Sequence, residues 1–173
     1  MRVLSAPRVA LEPQTVAHAD AMFVVLSDPA IYEYENEPPP SLMWLCERFA
    51  RLESRQSADG REQWLNWVIR MPTSELAGFV QSTVHANGVA DIAYVLSSAY
   101  WGRGLAQEAV ETMIAELVSH YHVRALRAVF KNANDRSKRL LERLGFAFPS
   151  PEQDIEYEIE PDELLMILDV GGG

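Results

Sequence analysis

The chain is short of several things that would define it at once. A single cysteine, Cys46, in 173 residues rules out an internal disulfide framework and matches a reducing compartment. No apolar run approaches the roughly 20 residues needed to span a bilayer. The opening Met1-Arg-Val-Leu-Ser-Ala-Pro-Arg-Val9 is short and weakly apolar for a secretory leader, so a cytoplasmic location without membrane contact is expected. Basic residues are the minority: 15 Lys and Arg against 25 Asp and Glu leave a net charge of −10. That balance argues against nucleic acid, whose phosphates demand a basic footprint, and favours a cationic partner such as an amine. No Gly-Lys-Ser/Thr, no Gly-x-Ser-x-Gly and no Cys–His pair occurs, which withdraws support from phosphate-loop and hydrolase chemistry. His18 and His85 stand alone, and His120 and His122 gather no carboxylate, so no metal is expected.

Apolar residues make up 48% of the chain, enough for a buried core in one domain. That domain is read over residues 1–170, with 171–173 a frayed end. Arg8–Glu12 reads as a strand closed by Pro13, and Thr15 to about Leu26 as a helix with Val16, Ala19, Phe23 and Leu26 on one stripe. Three prolines end the loop Asp28–Pro40. Ser41 is an N-cap for a helix to about Glu53, in which Cys46 packs with Leu42, Leu45 and Phe49. From Gln63 the period becomes two. Strands are read over Trp64–Arg70, Leu76–Val84 and Val89–Leu96, the last two joined by Asn87-Gly88, giving an antiparallel meander. A helix from Gly104 to about His120 turns Ala106, Val110, Met113, Ile114 and Leu117 inward and Gln107, Glu108, Glu111 and Glu116 to water. The strand Arg124–Lys131 follows by a crossover and is therefore parallel to Val89–Leu96. A helix from Asn134 or Asp135 stops at Gly145. Ile155–Ile159 and Leu164–Leu168 read as a closing hairpin about Pro161-Asp162. The class is α+β: a mixed, mostly antiparallel sheet flanked by helices.

The most telling segment runs from Tyr94 to Ala109, where a strand breaks at Ser97-Ser98 and passes through Gly102-Arg-Gly104 into a helix. Such a turn offers several backbone N–H groups at the positive end of a helix dipole, which suits a phosphate or pyrophosphate. A dinucleotide fingerprint would need glycine at 107, where Gln stands, and an acid on the next strand, where none occurs. Glycines that merely permit tight packing are the bland alternative. A second segment, Asn134-Asp-Arg-Ser137 followed by Leu140-Leu-Glu-Arg-Leu-Gly-Phe146, changes the balance. Tyr100-Trp-Gly-Arg-Gly-Leu-Ala-Gln-Glu-Ala109 resembles the acetyl-coenzyme A motif of the GNAT N-acetyltransferases. The second segment resembles that family's later Asn-x-x-Ser and Leu-Gly-Phe elements in the same order. The resemblance is strong over residues 90–148, and with Pro7-Arg-Val-Ala-Leu11 it looks most like the branch that acetylates ribosomal-protein N-termini. One departure stands out: Trp101 occupies the place of the family's Gln or Arg.

The resemblance implies the GNAT fold, acetyl-coenzyme A as co-substrate, and direct acetyl transfer to a primary amine. The acceptor would be a peptide N-terminus or a small cationic amine. It places the pyrophosphate on Trp101, Gly102, Arg103, Gly104, Leu105, Ala106 and Gln107, with Arg103 either turned inward or a solvated turn residue. It makes the N–H at Leu96 the oxyanion donor, Ser137 the acid for the leaving thiolate, and Asn134 a contact along the pantetheine arm. A serine hydroxyl bonded back to residue 133 and an asparagine N-cap are the local alternatives, and Tyr100 or Tyr157 could serve as the acid. The loop Tyr32, Glu33, Tyr34, Glu35 would form an acidic, aromatic cradle for a cation, or else a solvated loop with one anchoring aromatic. Candidate bases are Glu33, Glu35, Glu37, Asp91, Glu156 and Glu158. Monomer and homodimer both remain open. A non-catalytic acyl-coenzyme A sensor, or an interaction module on the same fold, is the alternative function.

Overall fold

A computed structural model describes residues 1–34, 36–150 and 157–171. Its strands are β1 (Leu4–Ser5), β2 (Ala10–Pro13), β3 (Glu62–Arg70), β4 (Leu76–His85), β5 (Val89–Leu96), β6 (Ala125–Lys131) and β7 (Glu163–Asp169). Its helices are α1 (Ala19–Val25), α2 (Leu42–Leu52), α3 (Leu105–Tyr121) and α4 (Asp135–Arg143). The seven strands form one sheet in chain order, antiparallel everywhere except between β5 and β6. This is the α+β, mostly antiparallel arrangement that the alternating patterns and the crossover imply.

The sequence signals act locally as their chemistry demands. Ser41 caps α2 by accepting from the Trp44 N–H, and Asn134 caps α4 by accepting from the Ser137 N–H. Gly88, at φ +79°, makes the tight β4–β5 turn. On one face of the sheet α1 and α2 pack over Val68 and Leu76 through Met22, Leu45 and Phe49. On the other, α3 buries Leu105, Ala109, Val110, Met113 and Leu117 against Trp67, Val80 and Ile92, and Leu141 and Phe146 join the same cluster.

Two features open the sheet at one place. Ile69 faces Gly78 while Arg70 faces Leu76, leaving Ala77 as the extra residue of a bulge. Gly78 then lies so close to β5 that a Cβ there would sit 1.9 Å from the Val95 carbonyl oxygen. Beside it, β5 and β6 pair only over Val89–Asp91 and Ala125–Arg127, whereas β5 stays on β4 as far as Leu96. The C-terminal half of β5 therefore leaves β6, and its backbone groups on that side have no strand partner.

Three expectations need correction. Glu116, assigned to the water face of α3, is 5% exposed and bound by Arg2 at 2.8 Å, because the N-terminal segment covers that side of the helix. Neither His18 nor His85 stands alone, and His120 does meet a carboxylate: His18 Nε2 lies 3.4 Å from Glu12 Oε2, His85 Nε2 2.7 Å from Asp91 Oδ2, and His120 Nδ1 3.2 Å from Glu116 Oε2. In the expected closing hairpin, residues 157–160 carry no regular structure, while 155 and 156 lie outside the described residues. β7 pairs with β6 along its whole length, and on its other edge Ala147 exchanges both backbone bonds with Ile167 as a single bridge. At the expected frayed end, the Gly171 N–H donates to Asp169 Oδ1 at 2.9 Å, and residues 172–173 lie outside the description.

Candidate active site

After β5 the chain makes a 3-10 turn at Ser98–Tyr100, then passes Gly102 (φ +74°) and Gly104 (φ +73°) into α3. A Cβ on Gly102 would meet nothing within 4 Å, so glycine is required there by the left-handed backbone and not by space. The turn and the first residues of α3 line a cleft of about 370 Å³. Trp101, Gly102, Gly104, Leu105, Ala106 and Gln107 form one wall, and Asn134, Arg136, Leu140 and Arg143 the other. The helix start, with N–H groups lacking partners inside the helix, faces this space and favours an anion. Arg103 is not among the lining residues: its side chain lies over the Tyr100 ring at 5.8 Å, and its carbonyl accepts from Arg8 Nη1. Arg8 also binds Glu108 at 2.7 Å, which ties the N-terminal segment to the turn.

Trp101 acquires two contacts that its spacing alone does not reveal. Its indole N–H donates to the Leu96 carbonyl at 2.8 Å, fixing the end of β5. Over its ring lies the Arg136 guanidinium of α4, 3.6 Å from the centroid. A cation thus stands beside the glycine turn although position 101 does not provide one.

The open half of β5 forms the floor. Ser97 N–H donates to the Ala77 carbonyl, so alternation along the strand turns the N–H groups of Leu96 and Tyr94 toward the gap left by β6. The Tyr94 hydroxyl crosses this gap to Ser137 Oγ at 2.6 Å. Burial pushes the Tyr94 phenol up to about 12, against a smaller downward pull from the Ser137 hydrogen bond. Ser137 therefore does not bond back to residue 133 but faces the end of β5, while Asn134 is both N-cap and lining residue. Tyr100 also lines the cleft, with its hydroxyl spent on Glu75 at 3.0 Å, and Tyr157 stacks on Arg127 at 4.3 Å.

A second cleft, of about 350 Å³, opens between α2 and the sheet and shares Tyr94 and Val95 with the first. The expected cradle residues divide between the two. Tyr34 lines the first; Tyr32 lines the second, its hydroxyl donating to the Leu26 carbonyl at 2.6 Å. Glu33 is exposed and lines neither, and Glu35 lies outside the described residues. Asp28 clips this loop to the end of β5, its Oδ2 accepting from the Ser98 N–H at 2.8 Å, and bonding to Ser98 holds its carboxyl below the usual range. Among the candidate bases, Asp91 is taken up by Arg127 (2.7 Å) and His85, Glu158 is exposed, and Glu156 lies outside the description. Glu37 lines the second cleft. Among the described residues no His, Cys, Asp and Glu side chains group to hold a metal.

A family profile for the acetyltransferase (GNAT) domain matches residues 8–147, spanning the turn, the open strand and both walls of the first cleft. The chain belongs to the GNAT acetyltransferase family. Acetyl-coenzyme A is that family's acyl donor, and amines are its acceptors. An uncharacterized N-acetyltransferase, p20 of Bacillus licheniformis, is 26% identical over 148 residues, covering 84% of this chain and 83% of its own. Among solved structures, RimL, a ribosomal L7/L12 α-N-protein acetyltransferase in complex with coenzyme A, superposes with a TM-score of 0.80 at 15% identity and covers 99% of both chains. The ribosomal-protein-S5-alanine acetyltransferase of Vibrio fischeri gives 0.79 at 15% identity, over 98% of this chain and 97% of its own. These likenesses establish the GNAT fold.

Within this GNAT site, sequence reasoning missed Tyr94, Arg136 and Asp28. Only Tyr94 carried a signal: an aromatic with a polar tip on the strand directly before the glycine turn. Arg136 sits inside the Asn-x-x-Ser segment but is defined by Trp101, far away in the chain.

Proposed function

We propose that this chain transfers an acetyl group from acetyl-coenzyme A to a primary amine by direct attack, without a covalent enzyme intermediate. The observation that carries the reading is the meeting of two clefts at Tyr94 and Val95, where β5 has left β6 and its N–H groups are free. The residues fit the donor: unpaired N–H groups of a glycine turn, a helix start, and Arg136 and Arg143 on the facing wall. Bound there, acetyl-coenzyme A supplies an activated acyl carbon and a thiolate leaving group.

The chain's own residues do the remaining work. The Gly102–Gln107 backbone and Arg136 hold the pyrophosphate, and Asn134 borders the pantetheine arm. The N–H of Leu96, fixed by Trp101 on its carbonyl, stabilises developing negative charge on the acyl oxygen. Tyr94 keeps its proton at working pH, with its hydroxyl 2.6 Å from Ser137 Oγ; when Tyr94 is the donor of this pair, the Ser137 proton is left for the departing sulfur. Tyr94 is then a positioning residue and Ser137 the acid. An α-amino group, with a pKa near 7.7–8.0, needs only a water relay or a modest base, for which Glu37 is placed in the second cleft. The ribosomal-protein acetyltransferases among the structural neighbours favour a peptide N-terminus as acceptor. In this reading residues 1–170 act as one catalytic domain in the cytoplasm. The test is release of free thiol from acetyl-coenzyme A in the presence of N-terminal peptides, polyamines and aminoglycosides. Turnover with one amine class supports the reading; coenzyme A binding without any turnover across the panel counts against it and favours a sensor.

A further inference from the structure

Arg48 of α2 lines the second cleft without an oxygen partner among the described residues. Its guanidinium lies 5.6 Å from the centroid of the Trp44 ring, and burial together with the neighbouring Arg51 lowers its pKa. The other partly buried arginines are matched. Arg70 holds Glu12 at 2.6 Å, Arg127 holds Asp91 at 2.7 Å, and Arg55 donates to the Gln14 carbonyl at 2.9 Å. A partly desolvated guanidinium with nothing to bind is costly unless a ligand completes it.

An independent observation points the same way. Gln14, 4% exposed, lines this cleft, and its side-chain Nε2 is buried with no hydrogen-bond partner. Its place is fixed by the backbone, since its N–H donates to the Asn66 carbonyl at 2.9 Å while its own carbonyl receives Arg55. A guanidinium fork and an unspent carboxamide N–H are both donors, and they call for an oxygen-rich group. Glu37 is the one acid among the described lining residues, and it makes no ion pair with Arg48.

We infer that the second cleft selects a primary amine that also carries a carboxylate, received by Arg48 with Gln14 beside it. This rests on the acetyl-transfer reading and narrows its acceptor. The amine end lies toward Tyr94, where the clefts meet, and the carboxylate end toward α2. The chain's overall negative charge then acts as a filter on everything else, while one local cation admits the anionic end of the acceptor. The carboxylate can belong to an acidic residue behind a peptide N-terminus or to a small amino acid.

The test uses two matched acceptor pairs with the full chain and saturating acetyl-coenzyme A: Ser-Glu-amide against Ser-Gln-amide, and 4-aminobutyrate against 4-aminobutyramide. The carboxylate member of at least one pair is expected to show kcat/KM about tenfold or more above its amide, carried mainly by KM. Which pair responds tells the peptide source from the small-molecule source. Arg48→Gln should erase that preference with the melting temperature and coenzyme A affinity unchanged, and Arg48→Lys should keep part of it. Calorimetric titration of the same acceptors into protein saturated with coenzyme A gives a readout that needs no turnover. Amines turned over with no charge preference overturn this inference and leave acetyl transfer standing. Carboxylate-dependent binding, lost in Arg48→Gln, with no turnover supports the anion site and overturns acetyl transfer. Binding of no member of either pair overturns the inference.

Discussion

The two clefts that meet at Tyr94 and Val95 are made of different material. The first rests mainly on backbone: a glycine turn, a helix start and the half of β5 that β6 leaves, with Arg136 and Arg143 on the facing wall. The second is side chain, with Gln14, Arg48 and Glu37 drawn from separate parts of the chain and held around aromatics of α2 and the sheet. A backbone site recognises what every member of a family shares, because phosphates need only aligned N–H groups. A side-chain site can vary without disturbing the fold, which is where acceptor choice belongs.

The difference can be broken or sharpened by substitution. Gly78→Val should have the largest effect, since it strikes both clefts at once. With a Cβ 1.9 Å from the Val95 carbonyl oxygen, β4 and β5 must separate. A loss of about 3 kcal/mol or more in chemical denaturation is expected, together with loss of coenzyme A and acceptor binding. Gly104→Val separates the clefts. It forces a β-branched residue to φ +73°, at a cost of about 1–2 kcal/mol, and should weaken coenzyme A about tenfold or more while sparing acceptor affinity.

Ser137→Ala is expected to lower kcat by about 10- to 100-fold with little change in either KM, and Tyr94→Phe by less, if Tyr94 positions Ser137. Tyr94 also has a pH signature. Its folded pKa lies above the ordinary value of 10.0, so its contribution to stability is complete below pH 10 and is lost as pH rises toward about 12. Denaturation at graded alkaline pH should show a smaller loss in Tyr94→Phe than in the parent chain, the remainder coming from Tyr32, Tyr100, Tyr121 and Tyr157, whose phenols burial also pushes up. The smallest effect is expected from Glu33→Gln. Its side chain lines neither cleft, so acceptor KM should stay unchanged; a marked rise would restore the acidic cradle.

What the sequence made legible follows the same division. Period-two runs and the Asn87-Gly88 turn yielded the meander. The serine and asparagine caps yielded α2 and α4, and the Gly102–Gly104 turn yielded the first cleft, because each signal is local. Tyr94 with Ser137, 43 residues apart, and Asp28 with Ser98, 70 apart, exist only once the chain has folded. Glu116 misled because helical periodicity cannot show that an N-terminal arginine will cover it. Of the Ile155–Ile159 alternation, 155–156 lie outside the described residues and 157–159 carry no regular structure, because period two reports a pattern and not a partner strand. The acceptor side was read from loop composition, which pointed to acids, while the second cleft itself holds two donors without hydrogen-bond partners, Arg48 and Gln14 Nε2, and one acid, Glu37, among its described lining residues.

The most direct test of the account is a crystal structure with coenzyme A bound. The pyrophosphate is expected on the N–H groups of residues 102–107 beside Arg136, with the thiol reaching the Tyr94–Ser137 pair on the open side of β5. A cofactor bound elsewhere, or a thiol directed away from the junction of the two clefts, would contradict it.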